Sequence, residues 1–466
     1  MAELIKLPES ATCHAEIDLR LVPLSFLALI AVGTAVLVLP AALQPEKSMS
    51  FLDTLFLATS ASCVTGLTTV NIADTFNGFG QAAILFLIQM GGLGIVTAGT
   101  LFVLLGGRRL SLKDEQTIGA TFGRLRGARP AAVFGYACFF VFFIELSGMI
   151  LLAALLHSTA PNQSGWPTVW QAAFHAVSAF CNAGLSIYPE GMAQWRNYPA
   201  LLAAMDVLVV AGGIGMLTLV NLRYYRFWRR DPRQRGHLTL QTKLAVLMAL
   251  LLIFGGAFLT LALEWNQTLA HASWGQRFSW SFFHSVMSRT AGFSTVDVGQ
   301  MQPSTLQMTL VLMFIGGAPG SMAGGIKTVT AAVLVLAAWA ALRRREDIHL
   351  FGRRIPPSLT GIAVMILLLA GACLLLAVSL LMITENGLPA SLTQHRWLAV
   401  IFEAVSAFGT VGLSAGITPL LTPLGKLIII LLMFIGRVGP LFLAVYLSRP
   451  ASPWHFRYPK EPLSLG

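Results

Sequence analysis

Four stretches of this chain repeat one small pattern: SASCVTGLTT from Ser60 to Thr69, SAFCNAGLSI from Ser178 to Ile187, VMSRTAGFST from Val286 to Thr295 and SAFGTVGLSA from Ser406 to Ala415. Aligned, they share Gly66, Gly184, Gly292 and Gly412, each followed by Leu or Phe and then by Thr or Ser, at successive spacings of 118, 108 and 120 residues. The chemistry available here is that of the backbone. Glycine admits dihedral angles that other side chains resist, and carbonyl oxygens turned toward a common axis can replace the water around a dehydrated cation. A second glycine group follows each stretch: Gly91-Gly92, Gly212-Gly213, Gly316-Gly317 and Gly436, the first glycine of each lying 25, 28, 24 and 24 residues beyond the loop glycine. Close helix packing through small residues accounts for much of this second set. It does not account for the first, nor for the recurring dipeptide after it.

Such loops need elements to hold them. The chain has 466 residues, 56% hydrophobic and 11% charged, where a soluble domain carries about 25% charged residues. Apolar runs cover Leu21–Leu43, Gln81–Leu105, Ala131–His157, Ala200–Leu222, Leu244–Leu263, Leu306–Ala341, Leu359–Ile383 and Leu424–Leu447. Roughly 20 residues of helix cross the hydrocarbon core, so each run is long enough to span and the chain reads as a polytopic membrane protein. Between the members of each pair lies a shorter apolar segment: Phe51–Ala61, Thr168–Phe180, Phe278–Met287 and Trp397–Phe408. Segments of about 10–14 residues suit re-entrant helices, and each runs into one glycine stretch. Non-helical backbone at membrane depth survives only where protein buries it or where it lines a watery path. A short helix ending at the centre points its partially negative C-terminus there, which favours a cation.

Internal repetition therefore sets the expected architecture: an all-α membrane protein of four M1–pore helix–filter loop–M2 repeats, eight transmembrane helices around a pseudo-fourfold pore. The units fall at 21–107, 131–222, 241–342 and 359–448, with loops at 108–130, 223–240 and 343–358 and tails at 1–20 and 449–466.

The net charge of +11 is distributed unevenly. Of 31 Lys and Arg, six lie in Arg108–Arg129, seven in Arg223–Lys243 and five in Arg343–Arg354, all on one side if eight helices cross in turn. Lys6, Arg20, Arg449, Arg457 and Lys460 join them there, against Lys47, Arg196, Arg277 and Arg396 opposite. This is the positive-inside pattern; it places both termini in the cytoplasm of a bacterial plasma (inner) membrane and removes the need for a nucleic-acid partner. The first 20 residues lack the basic, apolar and small-residue order of a signal peptide. Cys13, Cys63, Cys138, Cys181 and Cys373 show neither metal spacing nor a disulfide framework.

On these loops the sequence resembles the Trk/Ktr/HKT superfamily of potassium transporters, over about Leu21 to Leu447. The resemblance places filter positions on Cys63, Val64, Thr65 and Gly66; on Cys181, Asn182, Ala183 and Gly184; on Arg289, Thr290, Ala291 and Gly292; and on Gly409, Thr410, Val411 and Gly412. It implies K+ as the transported ion, held at the filter carbonyls and moved by passive, gated permeation, and leaves Na+ open as an activator; no organic cofactor is expected. All four glycines are present, which in this family favours potassium over sodium. A cation at Arg289 beside such a path must turn away from it, and Glu403 is one candidate to receive it.

The third unit's last helix is interrupted by GGAPGSMAGGIKT, Gly316 to Thr328. Five glycines and Pro319 within ten residues cost a continuous helix roughly 8 kcal/mol, so a break is predicted. By resemblance the segment, including Gly316, Gly317, Pro319, Gly320, Gly324, Gly325 and Lys327, is an intramembrane gating loop, with Arg437 projecting toward it from the fourth unit. A charge at that depth is costly and marks an ion path or a buried pair; carbonyls of the loop or an intramembrane acid are the partners to expect. Glu145 and Asp206 are expected to pair with polar groups of neighbouring helices rather than to carry protons. His175 and His284, taken as equivalent positions of their short helices, read as structural.

The short N-terminal tail resembles the Ktr-type (KtrB) membrane subunit. That likeness implies a homodimer seated on a cytoplasmic RCK-type nucleotide-binding regulatory ring (KtrA/TrkA-like). The basic loops are docking surfaces for that ring or, equally, for anionic lipid head groups of the bilayer. An ion-coupled transporter would put ionisable residues at the midplane, and few acids lie there. No glycine fingerprint after a soluble strand marks a nucleotide domain in this chain.

Overall fold

The computed structural model describes residues 21–105, 130–159, 165–215, 218–219, 221–222, 238–345, 347–387 and 396–447. The expected tails at 1–20 and 449–466, and most of the basic loops at 108–130 and 223–240, lie outside them.

The protein is overwhelmingly helical. Long helices cover Leu21–Val38, Gly78–Leu105, Pro130–Thr159, Pro199–Gly213, Leu240–Leu263, Pro357–Thr384 and Pro423–Leu447, with a pair, Pro303–Phe314 and Thr328–Leu342, in the third unit. Between them lie four short ones: Phe51–Ser62, Trp166–Phe180, Trp274–Met287 and Arg396–Gly409. Among the described residues, Cys138–Thr159, Leu240–Leu263 and Leu359–Thr384 are long and apolar enough to cross a membrane, and Pro23–Val38, Gly78–Leu93, Pro199–Gly213, Pro303–Phe314 and Thr328–Leu342 are shorter apolar stretches.

Local chemistry sets these ends. Proline stands first in the helices at Pro199, Pro303, Pro357 and Pro423, where its missing N–H costs nothing and its φ already suits a helix. Ser50 caps the first short helix by accepting from Asp53 N (3.1 Å), and Ser273 with Gln276 forms a capping box on the third. The run Leu21–Leu43 was expected as one helix. It stops at Val38, because Pro40 forces Leu39 into extended backbone.

Two inner helices break. The third stops at Phe314 and resumes at Thr328; the ends of the break meet where Gly316 N donates to Ile326 O (2.9 Å) and Ile326 N to Phe314 O (3.2 Å). The second, expected over Ala200–Leu222, ends at Gly213, and Gly215 takes φ +89°. Three glycines in four positions weaken the helix there, and the freed carbonyls find new donors: Ala318 N bonds Gly213 O (2.9 Å) and Met322 N bonds Gly212 O (3.2 Å). The third unit's loop is thus docked on the second unit's break.

The core wraps the short helices. Phe56, Phe174, Phe283 and Phe402, one from each, are 0% exposed. Buried carboxylates join outer to inner helices in the last two units. Glu264 accepts from Gln302 N (2.8 Å) and Thr305 Oγ1 (2.5 Å), and Glu385 from Thr422 N (3.1 Å) and Thr422 Oγ1 (2.6 Å). Each caps the N-terminus of the following helix, where negative charge is favoured.

The basic stretch after Leu342 folds as a hairpin, Ile348–Leu350 against Arg353–Ile355, with Phe351 and Gly352 at positive φ in its turn. Ile355 packs against Val333 and Ala363, and Arg354 pairs with Asp347.

The first and fourth units meet through an ion pair from Lys426 Nζ to Asp53 Oδ1 (2.6 Å), the side chains 15% and 19% exposed. Lys426→Met leaves Asp53 partly buried and unpaired. A loss of about 1–3 kcal/mol is expected, read as a lowered melting temperature in detergent. Adding Asp53→Asn should restore part of it; an unchanged melting temperature in the single variant would remove the pair from the account.

Candidate functional site

Each glycine stretch leaves its short helix by the same backbone path. Val64, Asn182, Thr290 and Thr410 have φ of 56°, 59°, 67° and 48°, and two residues later Gly66, Gly184, Gly292 and Gly412 have φ of 100°, 66°, 72° and 95°. The residues between them, Thr65, Ala183, Ala291 and Val411, do not. An extended strand points successive carbonyls to opposite sides; reversing φ at alternate residues turns them toward one. A β-branched residue at positive φ is a genuine outlier and costs on the order of 1–3 kcal/mol. Here three such residues and an asparagine repeat it at one position.

The stretches also meet. A Cβ on Gly66 would lie 2.6 Å from Ala183 O, 3.1 Å from the Gly412 Cα and 3.2 Å from the Gly184 Cα. One on Gly184 would lie 2.6 Å from Ala291 O and 3.1 Å from the Gly292 Cα. One on Gly292 would collide with Val411 O, and one on Gly412 with Thr65 O, 2.8 Å from the Gly66 Cα. Each glycine therefore faces the next in chain order and the fourth returns to the first, a closed ring too tight for any side chain.

Hydroxyls explain the flanking residues. Ser60 Oγ and Ser406 Oγ accept from Gly66 N and Gly412 N (3.1 Å each), and Ser178 Oγ donates to Leu185 O (2.7 Å). The third unit has Val286 at the aligned position, and Gly292 N turns to Met287 O (3.0 Å). Two residues after each glycine, Thr68, Ser186, Ser294 and Ser414 accept from the backbone N–H of Val70, Tyr188, Val296 and Gly416. The recurring Thr or Ser is thus a local turn former.

Behind the loops, His175 Nε2 bonds Ser186 Oγ (2.9 Å), and Glu403 accepts from Ser414 Oγ (3.0 Å) and from Thr418. His175 and Glu403 both stand nine residues before their glycine, whereas His284 stands eight before Gly292 and bonds Thr309 Oγ1 (3.1 Å). His175 and His284 are therefore not equivalent; the helical step turns them to different neighbours. Glu145 meets Gln89 Nε2 (3.1 Å) and the Cys181 thiol (3.7 Å). Asp206 departs from expectation, its Oδ1 lacking a hydrogen-bond partner among the described residues.

The residues three before each glycine point into their surroundings. Cys63 is fully buried, and Gly409 has no room for a side chain, its Cβ position lying 2.7 Å from Met313 O. Arg289 does not reach Glu403, whose carboxylate is taken by Ser414 and Thr418. Its Nη2 donates to Gly316 O (3.3 Å) and its Nη1 to Ala249 O (3.5 Å).

Below the ring lies the break of the third inner helix. Gly320 and Gly325 have φ of 73° and 64°, and Lys327 Nζ donates to Ala323 O (2.6 Å). Pro319 O lies 2.8 Å from where a Cβ on Gly215 would be, and Gly213 O 2.7 Å from one on Gly317. A Cβ on Gly324 would collide with Thr410 Oγ1 and lie 3.0 Å from Gly409 O, so the loop abuts the fourth glycine stretch. Arg437, 6% exposed, donates through Nη1 to Met322 O and through Nη2 to Gly91 O (2.8 Å). The inner-helix glycines serve close approach: Cβ atoms on Gly91, Gly212 and Gly436 would collide with Ser62 O, Phe180 O and Phe408 O, at the ends of the short helices.

Against known proteins, the family model described as "TrkH: Cation transport protein" matches residues 10–452. The chain is 34% identical over 451 residues to the "Potassium/sodium uptake protein NtpJ" of Enterococcus hirae, covering 96% of this chain and 97% of the relative. It is 33% identical over 459 residues to the "Ktr system potassium uptake protein B" of Bacillus subtilis, covering 96% of each. Among solved structures it resembles the potassium transporter TrkH from Vibrio parahaemolyticus, with a TM-score of 0.68 at 18% identity over 95% of this chain and 87% of that one.

Proposed function

The chain belongs to the TrkH family of cation transport proteins, and on that premise we propose that it is the membrane subunit of a Ktr/Trk-type potassium uptake system. The observation that carries this is the closed ring of four glycines with alternating backbone φ. Peptide oxygens lining such a ring strip water from K+ and replace it, and the partially negative ends of four short helices add to the attraction. The filter is Cys63–Gly66, Cys181–Gly184, Arg289–Gly292 and Gly409–Gly412, and it belongs to four helix–short helix–loop–helix units around one path.

Permeation is passive and gated by the segment 316–328 with Arg437. Two relatives' names carry potassium alone or potassium with sodium, and Na+ enters this reading as an activator. Both termini and the basic loops face the cytoplasm of a bacterial inner membrane. The subunit works as a homodimer on a nucleotide-binding RCK-type ring, for which the hairpin at 348–355 offers Arg353 and Arg354.

The test is the purified chain in lipid vesicles under opposed potassium and sodium gradients. A reversal potential following the potassium gradient is expected. One following neither cation, or flux coupled to protons, would defeat the reading.

A further inference from the structure

Arg289 holds the position that Cys63, Cys181 and Gly409 hold in the other stretches, and it is the one long cation among them. It is 9% exposed, and among the described residues no carboxylate pairs with it. A buried cation without an acid is retained only where dipoles compensate it. Here one compensating dipole, Gly316 O, exists because the inner helix ends at Phe314. Gly316 is also where the two ends of the loop meet, through Gly316 N to Ile326 O. A donor on Gly316 O therefore holds both ends. The next residue, Thr290, sits at φ 67°, so the backbone that carries Arg289 is the backbone whose carbonyls turn toward the ring.

We propose that Arg289 is a positioning residue that ties the third glycine stretch to the loop at 316–327, linking ion occupancy of the ring to closure of the loop. The inference rests on the reading of that loop as the gate. Arg437 holds the loop's middle at Met322 O from the fourth unit, and Arg289 holds its root at Gly316 O from the third. Linkage between two sites is reciprocal: a K+ that orders the third stretch steadies the loop through Arg289, and movement of the loop loosens the stretch.

The test uses the full chain in vesicles with Arg289→Met and Arg289→Lys. Amide hydrogen exchange across 316–327 is compared in potassium and in choline, and basal potassium flux is measured alongside. In the native chain, potassium is expected to slow exchange. Arg289→Met should abolish that dependence and raise basal flux about tenfold, the order expected for losing a charged hydrogen bond. Arg289→Lys should keep part of both. A role in folding alone would lower flux and leave the potassium dependence intact. The proposal is overturned if potassium leaves exchange unchanged in the native chain, or if the dependence survives in Arg289→Met. Should Arg289→Met misfold, Arg289→Lys decides, and an ion dependence equal to the native one then counts against the proposal. Unaltered flux in Arg437→Gln together with unaltered flux on shortening the loop would instead sink the gate reading itself.

Discussion

Replacing Gly292 or Gly412 with alanine is expected to collapse discrimination between potassium and sodium by about tenfold or more while leaving a folded protein that still passes cations. Gly292 has φ 72°, and a Cβ there would collide with Val411 O and lie 3.0 Å from the Gly412 Cα. Gly412 has φ 95°, and its Cβ would collide with Thr65 O. The left-handed backbone alone costs an alanine roughly 1–2 kcal/mol; the collision cannot be relieved by turning a flexible side chain, because the atoms struck belong to the neighbouring backbone. Either the carbonyl moves off the axis or the ring widens. Both weaken coordination of a bare ion, and each 1.4 kcal/mol of lost preference is a factor of ten. Gly78→Ala and Gly255→Ala, where an added Cβ meets nothing within 4 Å, are the controls. The measurement is the shift in reversal potential under mixed gradients. An unchanged ratio in a folded Gly292→Ala protein would remove the ring from ion selection.

Arg437→Gln, or a deletion within Gly320–Gly325, is expected to raise resting potassium flux by about 10–100-fold. The guanidinium donates to Met322 O in the loop and to Gly91 O in the first inner helix. A hydrogen bond from a charged donor contributes about 1.5–3 kcal/mol, and the one to Met322 O is the one that reaches the loop, so its loss shifts the closed state toward the open one by roughly that range. A deletion that includes Met322 also removes the donor that occupies Gly212 O, which loosens the loop's hold on the second inner helix. Tracer uptake into vesicles, with a melting curve to establish folding, decides the matter. A folded variant with native flux would count against Arg437 as a barrier.

How much of this could be read beforehand follows from where each signal resides. The glycine stretches, the short helices and the break at Gly316 announce themselves because composition at those places forbids the alternatives. A helix cannot run cheaply through five glycines and a proline. The second break, at Gly213–Gly215, carried a similar mark in three glycines, yet the apolar run through Leu222 masked it; hydrophobicity measures burial, not helical continuity. The left-handed residues at Val64, Asn182, Thr290 and Thr410 were not legible at all, since valine and threonine resist that conformation and only the surrounding ring imposes it. The buried carboxylates of Glu264 and Glu385 likewise look like loop residues until the following helix is seen to start on them. The expected partner of Arg289 was the acid Glu403, whereas one of its partners is a carbonyl, Gly316 O, left free where the helix ends at Phe314.

The ring is written into a single polypeptide, so its quadrants answer to separate codons. In an assembly of identical subunits every change at such a glycine arrives four times over. Here one quarter can change while three hold their form, and the quadrants of this chain do differ, with Val286 where its counterparts are serine and an arginine where its counterparts are small.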